Sequence, residues 1–163
     1  METIQYYNKR DSNVLVSLLD CSKAFDTVVS SKLFDILIGK GLCPLITRLL
    51  INLYCNIEAS VVWNNHYSEK FKINMGVKQG GVISPILFSL YVDLLTEKII
   101  KSKVGCYIGE VCSAILVYAD DIVLMAPSRT AMQSLLNICQ DFGDEYNLRY
   151  NPDKCELTMF GKI

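Results

Sequence analysis

Histidine and tryptophan occur once each in 163 residues, and this scarcity removes several common chemistries. His66 falls in a polar turn, so a zinc enzyme or a Ser-His-Asp hydrolase built around it is a poor fit. The seven cysteines are odd in number and scattered, and none forms a Cys-x-x-Cys pair. That argues against a zinc site and against a secreted disulfide scaffold. Small buried thiols in a reducing compartment, cytoplasm or nucleus, are the better reading. No apolar stretch reaches the roughly 18 residues that span a bilayer. The nearest, Val82 to Leu95, is broken by Ser84, Pro85, Ser89 and Asp93. The first residues are polar, so no secretory leader is expected. A basic excess is also missing: the formal net charge is -1. Stand-alone nucleic-acid binders usually carry such an excess. Either nucleic acid is not the partner, or the basic surface lies on parts outside this chain.

What is present is a globular composition, 51% apolar and 20% charged, long enough for a real core. No repeat, low-complexity tract or linker interrupts it, so one continuous domain is expected. Val14 to Leu19 is a short apolar run that reads as a strand ending in Asp20. Ser31 to Ile38 reads as a helix capped by Ser30 or Ser31 and closed by Gly39 and Gly41. Pro44 suits a first helical position, with the helix running to about Tyr54. Alternating residues on both sides of Asn64-Asn65 signal a hairpin. Ser84-Pro85 reads as a cap and a first-turn proline, with a helix to about Lys101. Two strands follow, around Tyr107 and Ile115. Ser128 caps the next helix, whose Leu135, Cys139, Phe142 and Tyr146 form a core-facing stripe. Cys155 to Phe160 closes the chain as a strand. This mixture predicts an α+β fold with helices packed on one face of an antiparallel sheet and the other face open.

The most informative segment is Ala114 to Ala126, where Asp120 and Asp121 sit between two short apolar runs. The runs read as buried strands and the pair as the tip of a tight hairpin. Taken alone, an Asp-Asp turn is most simply a solvated turn. Like charges at the ends of buried strands are costly, however, unless a cation joins them. Asp20, at the end of another apolar strand, supplies a further carboxylate. The loop Gly76-Val77-Lys78-Gln79-Gly80-Gly81 precedes a capped helix. Two strand-end carboxylates can hold two magnesium ions about 3.5–4 Å apart, the arrangement that drives phosphoryl transfer. Spacing alone does not bring these elements together.

The segment Leu18-Leu19-Asp20-Cys21-Ser22-Lys23-Ala24-Phe25-Asp26 closely resembles the first catalytic motif of reverse transcriptases of non-LTR retrotransposons. Gly76 to Pro85 resembles their second motif, Tyr118-Ala119-Asp120-Asp121 their third, and Leu148 to Cys155 their fourth. The order and distances are those of the family, and the likeness covers nearly the whole chain, looking closest to the Jockey-like or CR1-like branch. The resemblance implies a polymerase palm that adds deoxynucleoside triphosphates to a DNA primer on an RNA template, with Mg2+ or Mn2+ as cofactor and no membrane association. It implies that Asp20 and Asp120 are metal ligands supported by Asp121, all three catalytic. Lys154 matches the lysine that assists the pyrophosphate leaving group; the plain alternative is a solvated surface lysine. Phe25 matches the aromatic that crowds the 2′-hydroxyl; the alternative is core packing. Gln79 and Gly80 would line the template and nucleotide pocket. Lys23, Asp26 and Asn151 fit the pattern but read as structural.

The departures are as instructive. Only Lys9 and Arg10 are positive before Asp20, and neither fits a motif of the triphosphate-gripping fingers. The chain ends at Ile163, soon after the fourth motif. The expectation is a palm core, residues 1–163, without most of the fingers and without the thumb, and with little activity of its own. A catalytically inactive retroelement remnant, at most a folded binding module, is the rival reading. A palm-like nucleotidyl cyclase shares the two-metal logic, but the Gln79-Gly80 loop and the Asp-Asp hairpin together disfavour it.

Overall fold

The structure, a computed structural model, describes residues 2–55 and 57–161. From the N-terminus the elements are α1 (Glu2–Asn8), β1 (Val14–Asp20), α2 (Ala24–Thr27), α3 (Ser30–Gly39) and α4 (Pro44–Cys55). Four short strands follow: β2 (Ile57–Ala59), β3 (Val62–Trp63), β4 (His66–Tyr67) and β5 (Phe71–Ile73). Then come α5 (Ser84–Ser102), β6 (Tyr107–Ile108), β7 (Val111–Cys112), β8 (Ile115–Tyr118), β9 (Asp121–Ala126), α6 (Arg129–Tyr146) and β10 (Glu156–Phe160). The chain divides into two compact units: residues 1–24 with 92–163, and residues 25–91. No helix among the described residues is long and apolar enough to cross a membrane.

The first unit is built on a four-stranded antiparallel sheet in the order β10-β1-β9-β8. Side chains alternate along each strand, so the register decides what each face carries. Leu15, Ser17 and Leu19 of β1 lie opposite Ala126, Leu124 and Ile122 of β9, and all six are buried. This face packs against α6 through Met132, Leu135, Cys139 and Phe142, all buried. Burying a side chain of this size contributes about 1.5–3 kcal/mol. The stripe read at helical spacing is therefore the inner face of α6, and Tyr146 completes it by stacking on Phe142 with ring centroids 4.4 Å apart. Ser128 caps α6 as expected, its hydroxyl accepting from the Ala131 amide at 3.2 Å.

The opposite face carries Val16, Leu18 and Asp20 beside Met125, Val123 and Asp121. One end of it is covered: Val14, Met125 and Cys106 form a buried cluster packed by Ile4 and Tyr7 of α1. Tyr7 clamps this end twice, donating to the Tyr107 carbonyl at 3.1 Å and accepting from its amide at 2.9 Å. The other end, where Asp20 lies, is open, with Leu18 44% and Tyr118 84% exposed. Helix α6 on one face and an open end on the other fit the predicted α+β arrangement, while α1 on the second face departs from the expectation of helices on one face only.

In the second unit, α3 and α4 bury Leu33, Phe34, Ile36, Leu37, Leu50 and Tyr54. The expected hairpin forms around Asn64 and Asn65, both left-handed (φ 52 and 62), the conformation a two-residue turn of mirror type requires. Its arms pair in two pieces, β3 with β4 and β2 with β5. Two capping expectations do not hold. The capping position of α3 is Val29, without a side-chain cap. Ser30 and Ser31 both lie inside the helix, and the Val29 amide donates to the Tyr91 hydroxyl at 3.3 Å. Ser84 lies inside the first turn of α5 rather than capping it. Its buried hydroxyl sits 3.4 Å from that of Tyr54 instead. For Ser84 a tertiary contact takes the hydroxyl that local preference would use as a cap.

Candidate active site

Two apolar strands and one turn place the carboxylates. Asp20 ends β1 and stands opposite Asp121, the first residue of β9. Directly opposed residues of an antiparallel pair share a face, so both point to the open side. Tyr118 also pairs with Asp121, leaving Ala119 and Asp120 as the whole turn between β8 and β9. Ala119 takes the left-handed conformation, φ 52. The Cys21 amide donates to the Asp120 carbonyl at 3.2 Å. That bond ties the hairpin tip to the residue following Asp20. Cys21 is buried, and its thiol is pushed up to about 12, first by that burial and then by the negative charges of Asp120 and Asp20. Asp20, at the end of β1, and Asp120, in the turn beside it, thus both bear on one thiol.

The segment after α6 docks on the same strand end. The Asn151 amide donates to the Asp20 carbonyl at 2.9 Å and the Ser22 amide to the Arg149 carbonyl at 2.8 Å. Tyr150 bridges Cys21 between them, and its hydroxyl donates to the Cys139 carbonyl of α6 at 3.1 Å. Gly143 makes the approach possible: a Cβ there would lie 2.6 Å from the Leu148 carbonyl oxygen. Asn151 then builds a turn, its side chain accepting from Asp153 at 3.2 Å and its carbonyl from the amides of Lys154 and Cys155 at 3.1 Å. The turn carries Lys154 to 3.5 Å from Asp20 Oδ1. With the lysine side chain 65% exposed, such a pair contributes little stability, about 0–1 kcal/mol.

Phe25, Gln79 and Gly80 belong to the second unit. The loop after β5 is stitched to the segment after β1 by two backbone bonds, Gly76 N–H to Val28 O at 2.8 Å and Val77 N–H to Phe25 O at 2.7 Å. Gly76 is required there. Its φ is 93, and a Cβ would sit 3.0 Å from Asp26 Cα. Gln79 Nε2 donates to both carboxylate oxygens of Asp26 at 3.0 Å each. A cleft of about 320 Å³ opens beside them, with Ile57, Ile73, Met75 and Val77 among its apolar walls and Lys78 and Gln79 among its polar ones. Gly80, φ 76, faces open space. Phe25 packs on Phe88, ring centroids 5.1 Å apart, and is only half-buried.

So Asp20, Asp120, Asp121 and Lys154 gather in one unit, while Phe25, Gln79 and Gly80 gather in the other. Asp26, read from sequence as structural, proves to be the partner of Gln79, and no sequence signal marks that pairing. Among the described residues, no three acidic, histidine or cysteine side chains converge as a set able to hold a metal ion. Asp20 and Asp121 share a face, and carboxylate oxygens are donors of the kind that suit a hard cation whose remaining ligands are water and substrate phosphate.

Residues 1–161 match the family described as reverse transcriptase (RNA-dependent DNA polymerase). The chain belongs to that family. The family's relatives include the Pol polyprotein of the type-2 retrotransposable element R2DM of Drosophila melanogaster, 33% identical over 93% of this chain and 14% of that protein. The RNA-directed DNA polymerase of the Drosophila melanogaster mobile element jockey is 27% identical over 88% of the chain and 16% of its own length. The chain therefore spans about a seventh of the length of these relatives. Among solved structures, telomerase from Candida tropicalis in complex with a fragment of telomeric RNA superposes with a TM-score of 0.75 at 13% identity, covering 97% of this chain and 28% of that one. At that identity the likeness speaks for the fold, a palm-type α+β arrangement.

Proposed function

We infer that the chain is the palm core, residues 1–163, of an RNA-directed DNA polymerase, with Asp20 and Asp120 as its metal-binding carboxylates and Asp121 as their support. The observation that carries this reading is the convergence of Asp20, the Asp120 turn and Lys154 at one open end of a sheet. Mg2+ or Mn2+, bound between the carboxylates, would supply the charge that activates the primer 3′-hydroxyl and steadies the leaving oxygen. Lys154 would give a proton to departing pyrophosphate, and its ion pair with Asp20 at 3.5 Å would hold it in reach until substrate arrives. The exposed strip of Leu18, Leu116 and Tyr118 offers an apolar floor for the primer end. In the other unit, Phe25 would crowd a 2′-hydroxyl, and Gln79 and Gly80 would line the pocket for nucleotide and template. An RNA template, a DNA primer and deoxynucleoside triphosphates are the partners this chemistry requires.

The test is primer extension on an RNA template by a protein carrying this chain within its natural flanking sequence. Metal-dependent incorporation that disappears in Asp120→Asn supports the reading. Wild-type protein without activity under conditions where a relative extends the same primer would overturn it in favour of an inactive remnant. The 163-residue chain alone is expected to extend poorly, because a net charge of -1 gives little attraction to phosphates.

A further inference from the structure

We propose that Asp26 is a positioning residue for Gln79, holding its side-chain amide in one orientation so that the carbonyl oxygen is the group offered to the adjoining cleft. This rests on the reading of Gln79 as a nucleotide-pocket residue. The amide nitrogen of Gln79 donates to both oxygens of the Asp26 carboxylate. A carboxylate only accepts, so the flipped amide would set an oxygen against two oxygens and is repelled. The bond therefore decides a matter that glutamine alone leaves open. Gln79 keeps its Oε1 free to accept, and the ligand it favours must bring a hydroxyl or an N–H to that place.

The surroundings support a specific role over a mere staple. The backbone bonds of Gly76 to Val28 and Val77 to Phe25 already fasten the loop. They act before Lys78, and Gly81 closes the turn on the Lys78 carbonyl at 3.0 Å. The Asp26 carboxylate engages an exposed side chain that lines the cleft and would otherwise rotate in solvent. Asp26 also directly follows Phe25, so one short segment sets both the ring and the amide.

The experiment measures deoxynucleotide KM and kcat by primer extension in the active protein carrying this chain, with Asp26→Asn, Asp26→Ala, Gln79→Ala and the Asp26→Ala/Gln79→Ala double variant. Asparagine can still bond Gln79 but permits either amide orientation. Asp26→Asn should raise KM about three- to tenfold, the scale of one ordinary hydrogen bond, with kcat changed less than about twofold and the melting temperature within about 2 °C. The double variant should be no worse than Gln79→Ala, because Asp26 acts through Gln79. If Asp26→Asn leaves KM unchanged while Gln79→Ala raises it, or if the single effects multiply in the double variant, the positioning role is overturned and the pocket role of Gln79 stands. If Gln79→Ala has no effect on KM in an active enzyme, the pocket reading falls and takes the positioning role with it.

Discussion

Ala119→Gly is expected to make the protein more stable and its active site less effective. Ala119 is the first of two residues in the turn between β8 and β9, with φ 52. An L-residue held in that region costs about 1–2 kcal/mol. Glycine removes the cost, but its freer unfolded chain takes back about 0.4–1 kcal/mol. The exposed methyl of Ala119 contributes no packing that would be lost. The net gain is about 0.5–1 kcal/mol, or roughly 1–4 °C in melting temperature for a chain of this size. Calorimetry or circular dichroism on the purified chain reads it directly. Ala126→Gly serves as the control. That residue is fully buried in β9, so the same substitution should lower the melting temperature. Incorporation by the active protein should meanwhile fall with Ala119→Gly, because the turn that aims Asp120 loses its stiffness. A lower melting temperature for Ala119→Gly would refute the argument that this turn stores backbone strain at the site.

Millimolar Mg2+ or Mn2+ should raise the melting temperature of the wild-type chain, since a ligand bound only by the folded state stabilises it; a shift no larger than that of Asp120→Asn would remove the claim that Asp20 and Asp120 share a cation. Phe25→Ala or Phe25→Val should increase ribonucleotide incorporation by the active protein, and unchanged discrimination would leave Phe25 only its packing on Phe88. Stability should decline as pH rises above about 8.5, the ordinary thiol value. Burial pushes Cys21 and Cys139 up to about 12 and Cys106 up to about 11, so the folded state keeps protons that the unfolded state releases. The loss is up to about 1.4 kcal/mol per pH unit for each thiol, running from the unfolded value to the folded one. Cys21→Ala should flatten the slope between pH 9 and 11, and an unchanged slope would contradict a buried protonated thiol there.

The elements themselves were legible in the sequence, because their causes are local. Val14 to Leu19, the runs flanking Asp120, Pro44, Ser128 and the Leu135-to-Tyr146 stripe each declare a period or a cap, and each became the expected strand or helix. The mirror turn at Asn64-Asn65 was legible for the same reason: few other residues take that backbone cheaply. Short α1 and α2 escaped notice, since seven and four residues hold no full amphipathic period. The capping roles of Ser30 or Ser31 and of Ser84 failed because each helix begins at or before those serines, and the Ser84 hydroxyl meets that of Tyr54, 30 residues away. The motifs named which residues could do chemistry, and their order named the family, but only tertiary structure decided which of them meet. The register that sets Asp20 against Asp121, the turn on Asn151 that brings Lys154 to Asp20, and the bond from Gln79 to Asp26 all join positions 53 to 134 residues apart. Contacts at such separations depend on how strands pair and on which loops dock, and a single sequence read for its local periods and caps contains no signal of either.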